Sequence, residues 1–173
     1  PMRSSAASDV YKRQTLDVSS MLPNKFEPKR KFRWVFAIEG IDAYLIKTAS
    51  RPTMNTTGVE IPFMNSHRYI AGKTKFDPIS CTLHDPIAPS GAQQVMEWVR
   101  THFESVSGRA GYADFYKRDC QLKLLDPVGT VVELWDLKGC FLESAGFGDL
   151  DYGTEDPAEI TMSIRFDNCV LQY

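Results

Sequence analysis

The residues to question first for acid–base or metal chemistry are three histidines, His67, His84 and His102. None stands three or four positions from another, so no helix face would pair them, and no HExxH-type ligand pattern occurs. They read as packed or solvent-facing side chains. No GxSxG turn is present and no cysteine sits in a catalytic context, so acyl transfer has neither nucleophile nor base to begin from. Cys81, Cys120, Cys140 and Cys169 are too far apart for a CxxC pair or zinc knuckle. Each falls in a strand-like stretch, and they are expected to be reduced thiols packed as small apolar groups, as in a reducing cytoplasm. Gly146 and Gly148 lie in AGFGDLDYG, which lacks the third glycine and the strand–helix setting of a dinucleotide fingerprint. The acidic residues Asp149, Asp151, Glu155 and Asp156 suggest a calcium loop, but Gly153 comes at the fifth position rather than the sixth. Ile160 moreover stands where the closing glutamate should be. A solvated turn between two strands is the better reading. Asn55-Thr56-Thr57 has the form of a glycosylation acceptor, expected to stay unmodified because no secretory signal precedes it. No cofactor or metal is expected.

Without a catalytic constellation, weight shifts to the elements. A chain of 173 residues suffices for about one domain with its own core. Twenty Lys+Arg against 22 Asp+Glu leave a formal charge of −2, without the basic excess of a protein that grips nucleic acid. No apolar run approaches the roughly 20 residues that span a bilayer, so a soluble protein without membrane contact is expected. Ser4 to Gln14, SSAASDVYKRQ, looks like a translated transposon adaptor from a sequencing library. Residues 1–14 are therefore expected to contribute nothing to the fold, with a gene product beginning near Thr15 or Met21, an arm over 15–30 and one domain over 31–173.

From Lys31 the pattern is β-rich. Phe32, Trp34, Phe36 and Ile38 alternate with Arg33, Val35 and Ala37, and Ile41 to Thr48 follows Gly40 as the second arm of an expected hairpin. After a loop over Ser50 to Gly58, the run Val59 to Met64 and a shorter one at Arg68 to Ala71 predict a second hairpin. Ile79, Cys81 and Leu83 form a strand stopped by Asp85-Pro86. Ser90 with Gln93 is a capping-box signature, and Ala92, Val95, Val99, Phe103 and Val106 predict a helix running to Gly108. A loop to Asp119 and further strands over Cys120–Leu124, Val131–Leu142 and Ile160–Phe166 complete the list. With no βαβ alternation, these elements predict an antiparallel sandwich or small barrel carrying one amphipathic helix.

Two stretches in order resemble the tail tube proteins of contractile-tailed bacteriophages, over most of the chain from Lys31 to Tyr173. The first is Ile61-Pro62-Phe63-Met64-Asn65 through Arg68 and Ala71-Gly72, followed by Thr74 and Phe76-Asp77, with Ile70 a further candidate residue of the same hairpin. The second is Leu137-Lys138-Gly139, then Gly146-Phe147-Gly148-Asp149-Leu150-Asp151-Tyr152 and Glu159-Ile160-Thr161, with the helix of Trp98 between the two stretches. The resemblance implies a non-enzymatic virion protein that polymerises as stacked hexameric rings inside a contractile sheath, a conduit for genome ejection assembled in the host cytoplasm. Partners would be the chain itself, sheath, baseplate and tail terminator proteins, and double-stranded DNA passing without specific binding. The Val59–Thr74 hairpin would add strands to a neighbour, satisfying edge N–H and C=O groups. A tailocin, extracellular injection or type VI secretion tube, or a tube-initiating baseplate protein, would share this fold. From another class, a small β-sandwich enzyme or ligand-binding module would require a deep pocket with convergent polar groups.

Overall fold

The computed structural model describes residues 25–172, and the chain divides into two compact units, Pro1–Arg30 and Lys31–Tyr173. Of the first unit, residues 25–30 form a turn followed by chain without regular secondary structure, with Arg30 Nε 3.7 Å from the Glu27 carboxylate. The adaptor-like segment 1–14 and residues 15–24 of the arm lie outside the described residues.

The second unit is mainly β. Its strands are β1 (Trp34–Ile38), β2 (Ile46–Ala49), β3 (Met54–Phe63), β4 (Ser66–Phe76), β5 (Ile79–His84), β6 (Arg118–Leu125), β7 (Val131–Gly146), β8 (Glu159–Arg165) and β9 (Asn168–Gln172). Two helices, α1 (Gly91–His102) and α2 (Ala113–Tyr116), and a 3-10 turn over Ala43–Leu45 join them. One antiparallel sheet runs β1-β6-β7-β8-β5-β2, with β9 also on β7, while β3 and β4 form a separate pair. Beta1 and β2 end this path without pairing along their length, so the sheet curls around a core but does not close into a barrel. The strands alternate as their sequences predict: Ile79, Cys81 and Leu83 of β5 and Ile160, Met162 and Ile164 of β8 are buried, facing Phe36, Val95, Trp98 and Leu137. Each such aliphatic side chain stabilises the fold by about 1.5–3 kcal/mol relative to exposure.

Beta7 serves both halves of the sheet. Its first part pairs with β6 on one side and β9 on the other, and its second part, Phe141–Gly146, pairs with β8. Gly139, at φ +67°, sits at the changeover; this left-handed backbone favours glycine, and a Cβ there would meet the Asp167 carboxylate at 2.3 Å.

Three local expectations are corrected. Gly40 does turn the chain, with the Ile41 amide donating to the Ile38 carbonyl at 3.2 Å, but no hairpin follows. Ile41 and Leu45 are buried instead, and Asp42 is held to α1 through both its amide and its carboxylate on Gln94. That inward detour sends β1 to β6 and β2 to β5, at opposite ends of the sheet. Second, α1 starts where expected, the Ser90 hydroxyl accepting from the Gln93 amide and the Asp85 carboxylate from that of Ala92 at 3.1 Å. It stops at His102, however, with Phe103 extended and half-exposed and Val106 fully exposed. The chain reverses because Phe103 bridges to Ala110 and the Gly111 amide donates to the His102 carbonyl. Third, the expected loop before Asp119 contains the single turn α2.

Candidate assembly surface

The β3–β4 hairpin is built from an exposed sequence. All ten residues of β3 are exposed, and in β4 only Gly72 and Phe76 are partly covered. It continues the β2–β5 ladder: the Ser50 amide donates to Ser80 and the Asp77 amide to Thr53, carrying the pairing from β2/β5 into β3/β4. Ten residues at about 3.3 Å each extend about 33 Å. Among the described residues no third strand covers either edge of this ribbon.

Direct cross-strand partners and two-residue alternation sort its distal half into two faces. Val59 opposite Ile70, Ile61 opposite Arg68 and Phe63 opposite Ser66 share one face. Glu60 opposite Tyr69 and Pro62 opposite His67 share the other, where the His67 imidazole meets the Glu60 carboxylate. Met64 and Asn65 form the two-residue tip, Met64 at φ +52° and 92% exposed. The expected hairpin residues Ile61, Phe63, Met64, Asn65, Arg68, Ile70 and Gly72 therefore all lie on one protruding ribbon, and Gly72 is needed where a Cβ would strike the Thr57 carbonyl at 2.7 Å. The ribbon starts at Met54, earlier than the alternation indicated. Exposed strand residues carry no burial period to mark their beginning.

Sequence reasoning missed the two free edges of the sheet half β2-β5-β8-β7: β2 on one side and Phe141–Gly146 of β7 on the other, where β8 is the one paired strand among the described residues. The outward face of this half bears hydroxyls, with Ser80 opposite Ser163 and Thr82 opposite Thr161. Its charges are met locally: Arg165 donates to Glu143 at 2.9 Å and Lys47 to Glu159.

The C-terminal turn residues are placed together at one end of the sheet. Gly146 closes β7, and Gly148 at φ +70° passes so close to the Glu159 carbonyl that a Cβ would lie 2.8 Å from it. Asp151 accepts the Gly153 amide at 2.9 Å, while Leu150 and Tyr152 stand fully out in solvent. Asp149, Asp151, Glu155 and Asp156 do not converge, and among the described residues no group of three or more acidic, His or Cys side chains is arranged to hold a metal. The histidines are likewise scattered, the His102 ring packing at a tilt 4.8 Å from that of Tyr116 and His84 standing opposite Glu159. Burial pushes the Cys81 thiol up to about 12 and, for a less covered group, Cys169 to about 11. An open groove of about 670 Å³ lies between β1 and β2, lined by Phe32, Trp34, Val35, Tyr44 and Ile46 with Lys31 and Lys47. It carries no convergent acid–base pair.

No family model and no curated protein matches the sequence. Solved structures do match by shape. A chain from the sheath/tube terminator structure of the PVC extracellular contractile injection system, in its extended state, aligns at TM-score 0.71 and 14% identity, covering 86% of this chain and 99% of that one. A chain from the tube-terminating cap of the anti-feeding prophage aligns at TM-score 0.72 and 15% identity, covering 91% and 99%. Hcp1 from Flavobacterium johnsoniae aligns at TM-score 0.50 and 13% identity, covering 81% and 94%. The fold is therefore that of tube-type proteins of contractile injection systems.

Proposed function

We propose that this chain is a structural subunit of the tube of a contractile tail-like particle, working as a self-assembled conduit and not as a catalyst. The observation that carries the reading is the projecting β3–β4 ribbon, unpaired at both edges among the described residues. A two-stranded hairpin is marginal in water by itself, and a long bare edge invites pairing with another chain, so this ribbon gains its full stability in an assembly. The sheet half it extends has one free edge at β2 and another at Phe141–Gly146, on opposite sides. Pairing one edge with the other on the next copy is a head-to-tail contact, which generates closed rings when the rotation closes. Stacked hexameric rings within a sheath are the form this takes, with sheath, baseplate and terminator proteins as partners. The hydroxyl face with its locally matched charges would then suit a channel wall, since it offers DNA no cluster of cations to hold it.

The phage tail is our first reading, supported by the two sequence stretches that resemble tail tube proteins; genome passage is the cargo it entails. The tube of an injection particle is the second, supported by the alignments with the PVC and anti-feeding prophage chains. Negative-stain microscopy of the concentrated protein tests the shared claim, with stacked rings and an open lumen expected. Dispersed monomers under all conditions would overturn it. Neighbouring terminase and capsid genes would then select the phage, and effector genes the injection particle.

A further inference from the structure

The head-to-tail reading places particular surfaces against each other. Across the sheet half, Ile46 of β2 lies opposite Leu83, Leu83 opposite Ile160, and the adjacent Thr161 opposite Gly146 of β7. Ile46 and Gly146 are thus at the same end of the sheet, on its two opposite edges. At the Ile46 edge opens the groove between β1 and β2, lined by aromatic and aliphatic side chains together with Lys31 and with Lys47, the latter also meeting Glu159. Leaving the Gly146 edge is the 147–158 loop, where Leu150 is 90% exposed and Tyr152 fully so, within a segment carrying Asp149, Asp151, Glu155 and Asp156. A largely apolar groove with Lys31 at its lining and an acidic loop with two projecting apolar side chains are complementary. They are separated by three strand spacings on one chain, about 14 Å.

Resting on the tube reading, we infer that the groove between β1 and β2 of one subunit receives Leu150 and Tyr152 of the next subunit. The occupant is a second copy of this chain. Two apolar anchors seated among aromatics, with Lys31 beside them to meet the acidic loop, form the compact kind of contact that carries most of an interface's affinity. It also selects direction, because the acidic loop has a cationic counterpart at the β2 edge, and like charges meeting in the reverse order would repel.

The test uses the full chain. Tyr44→Cys and Leu150→Cys proteins, both carrying Cys169→Ser so that the partly exposed native thiol cannot react, are mixed, allowed to assemble and treated with a short bismaleimide. A dimer formed in the mixture and absent from either variant alone is expected, and the Tyr44→Cys/Leu150→Cys double variant should give a ladder of higher oligomers. Separately, Leu150→Asp/Tyr152→Asp should raise the concentration needed for assembly at least tenfold with an unchanged melting temperature, since both side chains project into water in the subunit. Rings or tubes that form without the cross-link, or a double variant that assembles as readily as wild type, would overturn this contact and leave the tube reading standing. A cross-link within one chain would seat the loop in its own groove and overturn the contact too. Wild-type protein that never assembles would overturn both.

Discussion

Trp98 and Phe103 belong to one amphipathic segment, yet their surroundings have little in common. Trp98 is buried, its indole N–H donates to the Tyr116 carbonyl at 2.8 Å, and the Arg118 guanidinium lies 5.0 Å over its ring. Phe103 has left the helix and is 47% exposed. Trp98→Ala should therefore cost about 3–5 kcal/mol in urea unfolding, whereas Phe103→Ala should cost less than about 1 kcal/mol, as surface substitutions do. Equal losses would mean that the segment packs differently. The thiols offer a second contrast. Alkylation of native protein at pH 8 should modify Cys169 first and spare Cys81, Cys120 and Cys140, which are buried; denatured protein should take four labels. Burial raises the Cys81 value from 9.0 to about 12, so that thiol's contribution is fully present below 9 and is lost as pH climbs through about 12. Unfolding free energy should fall over that window, and Cys81→Ala should flatten the slope.

Among the elements, β3–β4 is the one whose sequence and setting disagree most. It is regular over its whole length, yet no core residue comes from its distal half. Ile70→Pro removes a backbone donor from the middle of β4 and sets a ring against any added strand. Assembly should be lost while the thermal unfolding of the sheet and α1 stays within a few degrees of wild type. Polymerisation at wild-type yield, followed by sedimentation, would exclude the hairpin from the interface. Beta7 plays the opposite part, buried through Leu137 and Cys140 in its first half and released to a free edge in its second. The bend at Gly139 makes both possible in one strand.

For the whole molecule, charge and architecture agree on weak contact with nucleic acid. A formal charge of −2 and ion pairs that neutralise the hydroxyl face locally leave few cations to release phosphate counterions. Duplex DNA should bind no tighter than about 10⁻⁴–10⁻⁶ M at physiological salt by fluorescence anisotropy, without sequence preference. A nanomolar, sequence-dependent complex would sink the conduit, because such a wall would retain what it should release.

Most strands of the core, the start of α1 and the distal part of the candidate hairpin are legible in short stretches of residues. Alternation at Ile79–Leu83 or Ile160–Ile164 and a cap at Ser90 are local signals, written within a few residues. Tertiary structure alone decided which strands became neighbours. Ile41 and Leu45 turn inward only because a core exists to receive them, and Asp42 turns with them to reach Gln94, far along the chain. The end of α1 was hidden for the same reason: Phe103 continues the helical stripe, but the returning Ala110 and Gly111 claim its place. The free edges at β2 and Phe141–Gly146, and the groove facing one of them, are properties of pairing between distant segments. A strand's own residues record which face is dry, because burial follows the two-residue period of the backbone; they do not record which of its edges is left without a partner.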